Sequence, residues 1–148
     1  MSLTTSVDQR DRQEISDLLI SYSWAIDDGQ AEALADLFLP DGEFHRSDGT
    51  VVTGRDQLVA FAQQVHGARA ERLQHIACNL SFSSSASDRV TVRSYVQVLA
   101  AGESGAGILA LGAYLDEVVR TPQGWRFSSR TFTSWRAAGT AAENRPTP

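Results

Sequence analysis

Residues 65–82 read VHGARAERLQHIACNLSF, and within them the hydrophobic period changes from that of a helix to that of a strand. Before this stretch, apolar side chains recur every three or four residues, which is typical of amphipathic helices. After it come long runs rich in β-branched and aromatic residues, joined by short connections that favour antiparallel neighbours. This order predicts an α+β fold in which three N-terminal helices pack on a strongly curved antiparallel sheet.

Chain-breaking residues divide the first half of the sequence. The first amphipathic helix is expected to stop at Gly29, and a second to run from Ala31 to Phe38. Pro40-Asp41-Gly42 predicts a turn. A small hairpin is predicted between this turn and Gly54, and a third helix is predicted after Gly54. The strands of the second half are predicted over residues 72–82, 90–99, 108–120 and 125–135.

The length of 148 residues fits one domain. We assign residues 9–136 to it, with a flexible N-terminus over residues 1–8 and a flexible tail over residues 137–148, where the sequence is small, polar and proline-bearing. Cys78 is the only cysteine, so no intrachain disulfide can form. Without a signal pattern or a long apolar run, we expect a cytoplasmic protein with no membrane partner.

The charge balance narrows the possible partners. The formal net charge is −5, and all 13 basic residues are arginine. A mildly acidic chain without basic clusters is a poor candidate for binding nucleic acid or anionic membranes. The absence of lysine excludes Schiff-base catalysis and pyridoxal phosphate attachment. We therefore expect a small-molecule ligand.

The first long strand has two faces of different character. Strict alternation places His75 and Asn79 on a face of small and polar groups, which favours a polar-tipped cavity beneath the helices. A buried histidine that only ties the sheet together is the alternative. The other face would be apolar and directed outward, which predicts a homo-oligomer, either a dimer or a trimer. It contains Ile76, Cys78, Leu80 and Phe82.

Two aspartates follow the first helix. Asp28 suits the N-cap of the second helix, which would leave Asp27 free to turn inward, although Asp27 could also be a cap or a solvated charge. A carboxylate paired with a histidine makes a useful base, because it fixes the tautomer and stabilises the imidazolium. A phenol such as Tyr22 could donate to an oxyanion or to a leaving hydroxyl. This set suits proton abstraction with elimination or isomerisation.

Signals for metals and nucleotides are absent or weak. The sequence contains no phosphate loop, and its three histidines lack ligand spacing. Glu43, His45 and Asp48 form a weak exception that is better explained as an exposed hairpin. We therefore expect no cofactor and no metal.

Five segments together resemble the SnoaL-like branch of the nuclear-transport-factor-2-like superfamily. The resemblance covers about Gln9 to Arg136 and implies a cone-shaped α+β barrel with a deep pocket, usually in a homodimer or homotrimer. The segments are Ile15–Leu18–Leu19–Tyr22–Ala25–Asp27, Leu37-Phe38-Leu39-Pro40-Asp41-Gly42, Gly54-Arg55, Gln74-His75-Ile76-Ala77-Cys78-Asn79 and Gly124-Trp125-Arg126-Phe127.

Within that superfamily, the chain is most similar to cofactor-free lyases that use an Asp–His dyad. These are scytalone dehydratase, bile-acid 7α-dehydratase and lindane dehydrochlorinase. The resemblance implies Asp27 and His75 as the dyad. It also implies Tyr22 and Arg130 as further catalytic residues and Tyr114 as a substrate contact. Trp24 and Asn79 complete the set of expected substrate contacts.

One departure from this pattern concerns the substrate. Scytalone dehydratase has a second catalytic histidine, whereas residues 92–99 here contain none, which argues against scytalone itself. The expected function is a dehydratase-type lyase acting on a hydrophobic cyclic molecule, such as a polyketide or a steroid-like ring. An isomerase or polyketide cyclase with the same base, or a non-catalytic binding protein, is the alternative, because this fold serves many functions.

Overall fold

The computed structural model describes residues 6–135, which form three helices and six strands. The predicted tail at 137–148 lies outside the described residues, as do residues 1–5 of the predicted N-terminal segment. In chain order the elements are α1 (Gln9–Asp27), α2 (Ala31–Asp36), β1 (Phe38–His45), β2 (Val51–Thr53), α3 (Gly54–Gly67), β3 (Arg72–Ala86), β4 (Arg89–Gly102), β5 (Gly105–Thr121) and β6 (Gly124–Ser134).

All six strands belong to one mixed sheet in the order β2-β1-β6-β5-β4-β3. The predicted antiparallel meander of the last four strands is confirmed. The sheet is not wholly antiparallel, however, because β1 runs parallel to β6. It is curved and not closed into a barrel, since β2 and β3 remain as its two edges. The α+β class is confirmed.

The helices cover the inner face of the sheet. Aspartate Asp8 caps α1, because its Oδ1 accepts a hydrogen bond of 2.8 Å from the Asp11 N–H. The apolar stripe of α1 then packs toward the sheet, and Ile15 and Leu19 are almost fully buried. Within residues 6–135, no helix is both long and apolar enough to cross a membrane.

The chain around Pro40 differs from the prediction. Phe38 begins β1 and does not end α2, and Pro40-Asp41-Gly42 lies within that strand instead of forming a separate turn. The register between β1 and β6 shifts there, from Phe38 opposite Phe127 to Glu43 opposite Ser129. Such an irregularity accommodates a proline, which has no N–H to donate to the sheet.

A bulge in β3 reverses the faces predicted for the second half of this strand. Asn79 has a φ of 54°, and the register with β4 shifts between Cys78 and Ser81. Asparagine tolerates this left-handed conformation better than most residues. As a result Leu80 and Phe82 pack against the core, and their predicted place on the outward face is wrong.

Candidate functional site

The end of α1 positions the first aspartate. Gly29 has a φ of 69°, and the Gln30 N–H donates 2.8 Å to the carbonyl of Ala25, which closes the helix as a Schellman motif. A Cβ at Gly29 would lie only 2.6 Å from the His66 ring, so the position requires glycine. The helix therefore stops at the expected residue and leaves Asp27 as its last one, facing β3.

Asp28 does not cap α2, so that prediction is wrong. It is instead the C-cap of α1, and one of its oxygens lies 3.4 Å from Nη2 of Arg72. The N-cap of α2 is Gln30, which makes no side-chain hydrogen bond there. The left-handed turn at Gly29 assigns Asp28 to the preceding helix.

The carboxylate of Asp27 holds His75 by two hydrogen bonds. Its Oδ1 lies 2.6 Å from Nδ1 of the ring, and its Oδ2 accepts 2.8 Å from the His75 backbone N–H. The side chains of His75 and Asp27 are only 12% and 8% exposed. Because a carboxylate can only accept, Nδ1 carries a proton, and in the neutral ring Nε2 then has a free lone pair. This is the tautomer that a general base requires.

An inner cavity of about 400 Å³ lies between the concave face of the sheet and the helices. Such a volume suits a small ring compound. His75 and Leu73 form part of its wall, and five of the other lining residues are aromatic. The aromatic residues are Tyr22, Phe44, Phe61, Tyr114 and Phe132.

An outer groove of about 590 Å³ lies on the other side of His75, between α1 and β3. Asp27 and Trp24 line this groove but not the inner cavity, and Trp24 is 60% exposed. His75 and Leu73 line both spaces. The groove is larger, but we assign the site to the inner cavity, because the two tyrosines converge with His75 only there.

Two phenols face the inner cavity in neutral form. Burial raises the pKa of Tyr22 well above its ordinary value and that of Tyr114 to about 12, although Arg130 opposes both shifts. Both residues therefore remain protonated at neutral pH and can donate. Their hydroxyls have no hydrogen-bond partner among the described side chains and backbone groups. The two rings lie edge to face, with 6.2 Å between their centroids.

Arg130 lies behind these phenols and does not line the cavity. Its guanidinium carbon is 4.2 Å from the ring centroid of Tyr22 and 3.7 Å from that of Tyr114. Two of its nitrogens bind the carboxylate of Asp116 at 2.9 and 3.1 Å, and both side chains are fully buried. Burial raises the pKa of Asp116 to about 6, because desolvation outweighs the attraction to Arg130. Nη1 of Arg130 has no partner within the part of the chain described.

The remaining predicted residues are dispersed. Asn79 is exposed at the β3 bulge and lines none of these spaces. Glu43 and His45 do pair, with 2.8 Å between Oε2 and Nε2, but Asp48 instead faces Arg46. Among residues 6–135, no group of three or more potential ligands converges to hold a metal ion.

Sequence reasoning missed one buried residue and the mouth of the cavity. Asp116 lies two residues after Tyr114 and two before the buried Val118, so strict alternation in β5 would have pointed it inward. Arg46 and Arg69 also line the inner cavity. They lie in the turn after β1 and in the segment after α3, where no periodic pattern predicts direction.

Comparisons with known proteins agree with this architecture. An NTF2-like protein of cystatin-like fold from Novosphingobium aromaticivorans has 28% identity and a TM-score of 0.80, over 89% of this chain and 86% of that one. A candidate scytalone dehydratase from the same organism has 26% identity and a TM-score of 0.76, over 86% and 85%. Aln2 from Streptomyces, at 19% identity and a TM-score of 0.82 over 88% and 94%, supports the fold alone.

The sequence itself also matches a family model. No curated protein matches the chain. The model of the SnoaL-like domain, by contrast, matches residues 8–131. This range contains the first five strands and most of β6, and it contains every residue that lines the two cavities except Phe132. The chain therefore belongs to the SnoaL-like domain family.

Proposed function

We propose that the chain is a cofactor-independent lyase of the dehydratase type, acting on a hydrophobic cyclic molecule bound in the inner cavity. One observation carries the proposal: the Asp27 carboxylate holds the His75 ring at 2.6 Å in the wall of an aromatic-lined cavity. A buried histidine that merely ties the sheet would not need a space of about 400 Å³ beside it. The similarity to a candidate scytalone dehydratase supports the same class.

The proposed reaction removes water from a β-hydroxy ketone. Nε2 of His75 takes the proton from the carbon between the carbonyl and the hydroxyl-bearing carbon, and Asp27 stabilises the imidazolium. The electron pair of the broken C–H bond is first delocalised onto the carbonyl oxygen as an enolate, which then forms the new double bond as the hydroxyl leaves. That hydroxyl takes the proton now held on Nε2 of His75 and departs as water, which returns the imidazole to its neutral form. Tyr22 and Tyr114 donate hydrogen bonds to the carbonyl oxygen as its negative charge develops.

Arg130 acts in this scheme through the two tyrosines. Its cation is stacked against both rings, and it does not line the cavity. A cation at the ring face makes each phenol a stronger donor, since it stabilises negative charge on the oxygen. We therefore assign Arg130 as a positioning residue for Tyr22 and Tyr114.

A panel of hydroxylated cyclic ketones tests the function. β-Hydroxytetralone is the first probe, because its dehydration gives naphthol and is visible by ultraviolet absorbance. We expect release of water without added cofactor and without loss of rate in EDTA. Migration of a double bond without water release would instead favour an isomerase, and ring closure of a linear polyketide a cyclase. Binding of the ketones without any reaction would favour a binding protein.

We also propose that the chain forms a homo-oligomer through the outer face of the sheet. Exposed apolar side chains cluster there across three neighbouring strands, and the rings of Tyr95 and Trp135 lie 5.4 Å apart. A patch of this kind on a sheet is typical of a surface that a second copy covers. The cluster consists of Ile76, Tyr95, Leu111, Leu115 and Trp135.

Light scattering tests the assembly. We expect a mass of two or three times 16.1 kDa at micromolar concentration. Leu115→Arg should shift that mass to one chain, because it places a charge in the apolar cluster. Val51→Arg, at an exposed valine on the far edge strand β2, should leave the mass unchanged. A single-chain mass for the unaltered protein would contradict the proposal.

A further inference from the structure

The mouth of the inner cavity has a different character from its walls. Two arginines, Arg46 and Arg69, line the cavity there, together with Ser47 and Asp48. Both arginines are exposed, whereas the rings deeper in the cavity are buried or half-buried. The entrance therefore has two cations and one carboxylate, although the chain as a whole has a net charge of −5.

Arg69 has no counter-ion. It makes no hydrogen bond, ion pair or ring contact with any other described residue. Three acidic residues share a neighbouring cleft with it, but all of them are turned to other neighbours. Asp27 binds His75. Asp28 lies 3.4 Å from Nη2 of Arg72, and the side chain of Glu71 lies against Gly102. The guanidinium of Arg69 is thus left free at the entrance.

Arg46 is only loosely neutralised. Its Nη2 is 3.7 Å from Oδ2 of Asp48, while Oδ1 of Asp48 accepts 2.9 Å from the Thr50 N–H. The guanidinium carbon of Arg46 also lies 6.0 Å from the ring centroid of Phe61, a residue of the cavity wall. This contact places the cation beside the cavity wall.

We propose that the ligand of the inner cavity is a ring compound with a carboxylate, whose ring lies among the aromatic side chains and whose carboxylate binds Arg69 and Arg46 at the mouth. Guanidinium groups bind carboxylates with paired, charge-assisted hydrogen bonds. A neutral ring compound would leave Arg69 without a partner. The inference rests on the proposed use of this cavity and adds the substrate class to it.

Calorimetric titration with two matched probes, naphthoate and naphthamide, tests the inference. The two have the same ring system and differ in charge, and neither has a hydroxyl that can leave, so binding is measured without turnover. We expect naphthoate to bind on the order of tenfold more tightly, since each exposed ion pair contributes at most about fivefold. Raising the salt concentration should reduce this preference, because ions screen exposed charges.

Arginine variants test whether the preference for naphthoate over naphthamide arises at the mouth of the cavity. Arg69→Gln and Arg46→Gln should each reduce it by about two- to fivefold, and the double variant should abolish it. Arg69→Glu should reduce the preference for naphthoate further than Arg69→Gln does, because the new carboxylate repels that of naphthoate. Arg10→Gln is the matched control, because Arg10 is an exposed arginine on α1, paired with Glu14 and remote from the cavity lining.

The outcomes separate this inference from the proposed function. Equal affinity for the two probes, or a preference that persists in the double variant, would overturn the inference and leave the lyase proposal standing. Failure of both probes to bind would overturn the use of the cavity and the inference together. A charge-dependent preference with no elimination activity on any ketone would support the inference and count against the lyase.

Discussion

His75→Ala should lower the rate of elimination by about 10²–10⁴-fold, the usual contribution of a positioned general base. The ring is the only described group in the cavity wall that has a free lone pair held in place by a carboxylate. Asp27→Asn should come close to the same loss, because an amide can neither hold the Nδ1–H tautomer nor stabilise the imidazolium. The measurement is the initial rate on whichever cyclic ketone the panel identifies.

The chain contains a matched control for this experiment. Glu43 and His45 form a second carboxylate–histidine pair at 2.8 Å, but neither lines the inner cavity. His45→Ala and Glu43→Gln should therefore retain the full rate. Circular dichroism and thermal unfolding would show that the His75 and Asp27 variants remain folded. Full activity in both of those variants would end the dyad hypothesis.

Local patterns were sufficient for most of the fold. The helix stop at Gly29 needs only a left-handed residue, and glycine supplies it at that place. The meander follows from β-rich runs with short connections, which leave few alternatives to antiparallel pairing. These parts of the fold could be predicted because their signals lie within a few residues of one another.

Local signals could not predict the long-range pairing of β1 with β6 or the single bulge in β3. The parallel pairing of β1 with β6 joins segments more than 80 residues apart, and nothing near Phe44 marks Arg130 as its partner. The bulge at Asn79 changes every later position in β3, because side chains alternate with a period of two. An asparagine in a strand is a weak hint of such a bulge, since it tolerates a positive φ.

In the candidate site, too, local patterns predicted some residues, whereas the surroundings of others depend on tertiary contacts. Alternation in β3 and the end of α1 were enough to suggest that His75 and Asp27 face inward, and the structure has them in contact. The environment of Arg130 could not be foreseen in the same way. It depends on Asp116 from β5 and on rings from α1 and β6, which meet only after folding.

Arg130→Met should lower the free energy of unfolding by about 3–5 kcal/mol at neutral pH, the usual cost of leaving one member of a buried ion pair alone. The substitution leaves the Asp116 carboxylate without its counter-ion in a fully buried position, and it also removes three ring contacts. Arg10→Met, which breaks only an exposed pair, should have little effect on the free energy of unfolding. Urea unfolding of both variants gives the comparison.

The pH dependence of the free energy of unfolding distinguishes the loss of charge from the loss of packing in Arg130→Met. The pKa of Asp116 is about 6 in the folded protein, above its ordinary value of 3.8. In the folded protein, the attraction to Arg130 lowers the pKa of Asp116. Loss of Arg130 should therefore raise this pKa further. Because the folded state then holds a proton that the unfolded state releases, the stability of Arg130→Met should rise as the pH falls through the folded pKa. The deficit against the unaltered protein should therefore be smaller at about pH 5 than at about pH 7.5.

A double variant completes this test. Asp116→Asn combined with Arg130→Met removes both charges, so at about pH 7.5 it should recover part of the stability lost in the single variant, and it should lack the rise in stability at lower pH that titration of Asp116 causes. Partial recovery is expected because the ring contacts of the guanidinium remain absent. If Arg130→Met instead showed the same deficit at both pH values, the loss would come from packing alone. The carboxylate of Asp116 would then already be neutral in the folded protein, and Arg130 would act on Tyr22 and Tyr114 without an ionised partner.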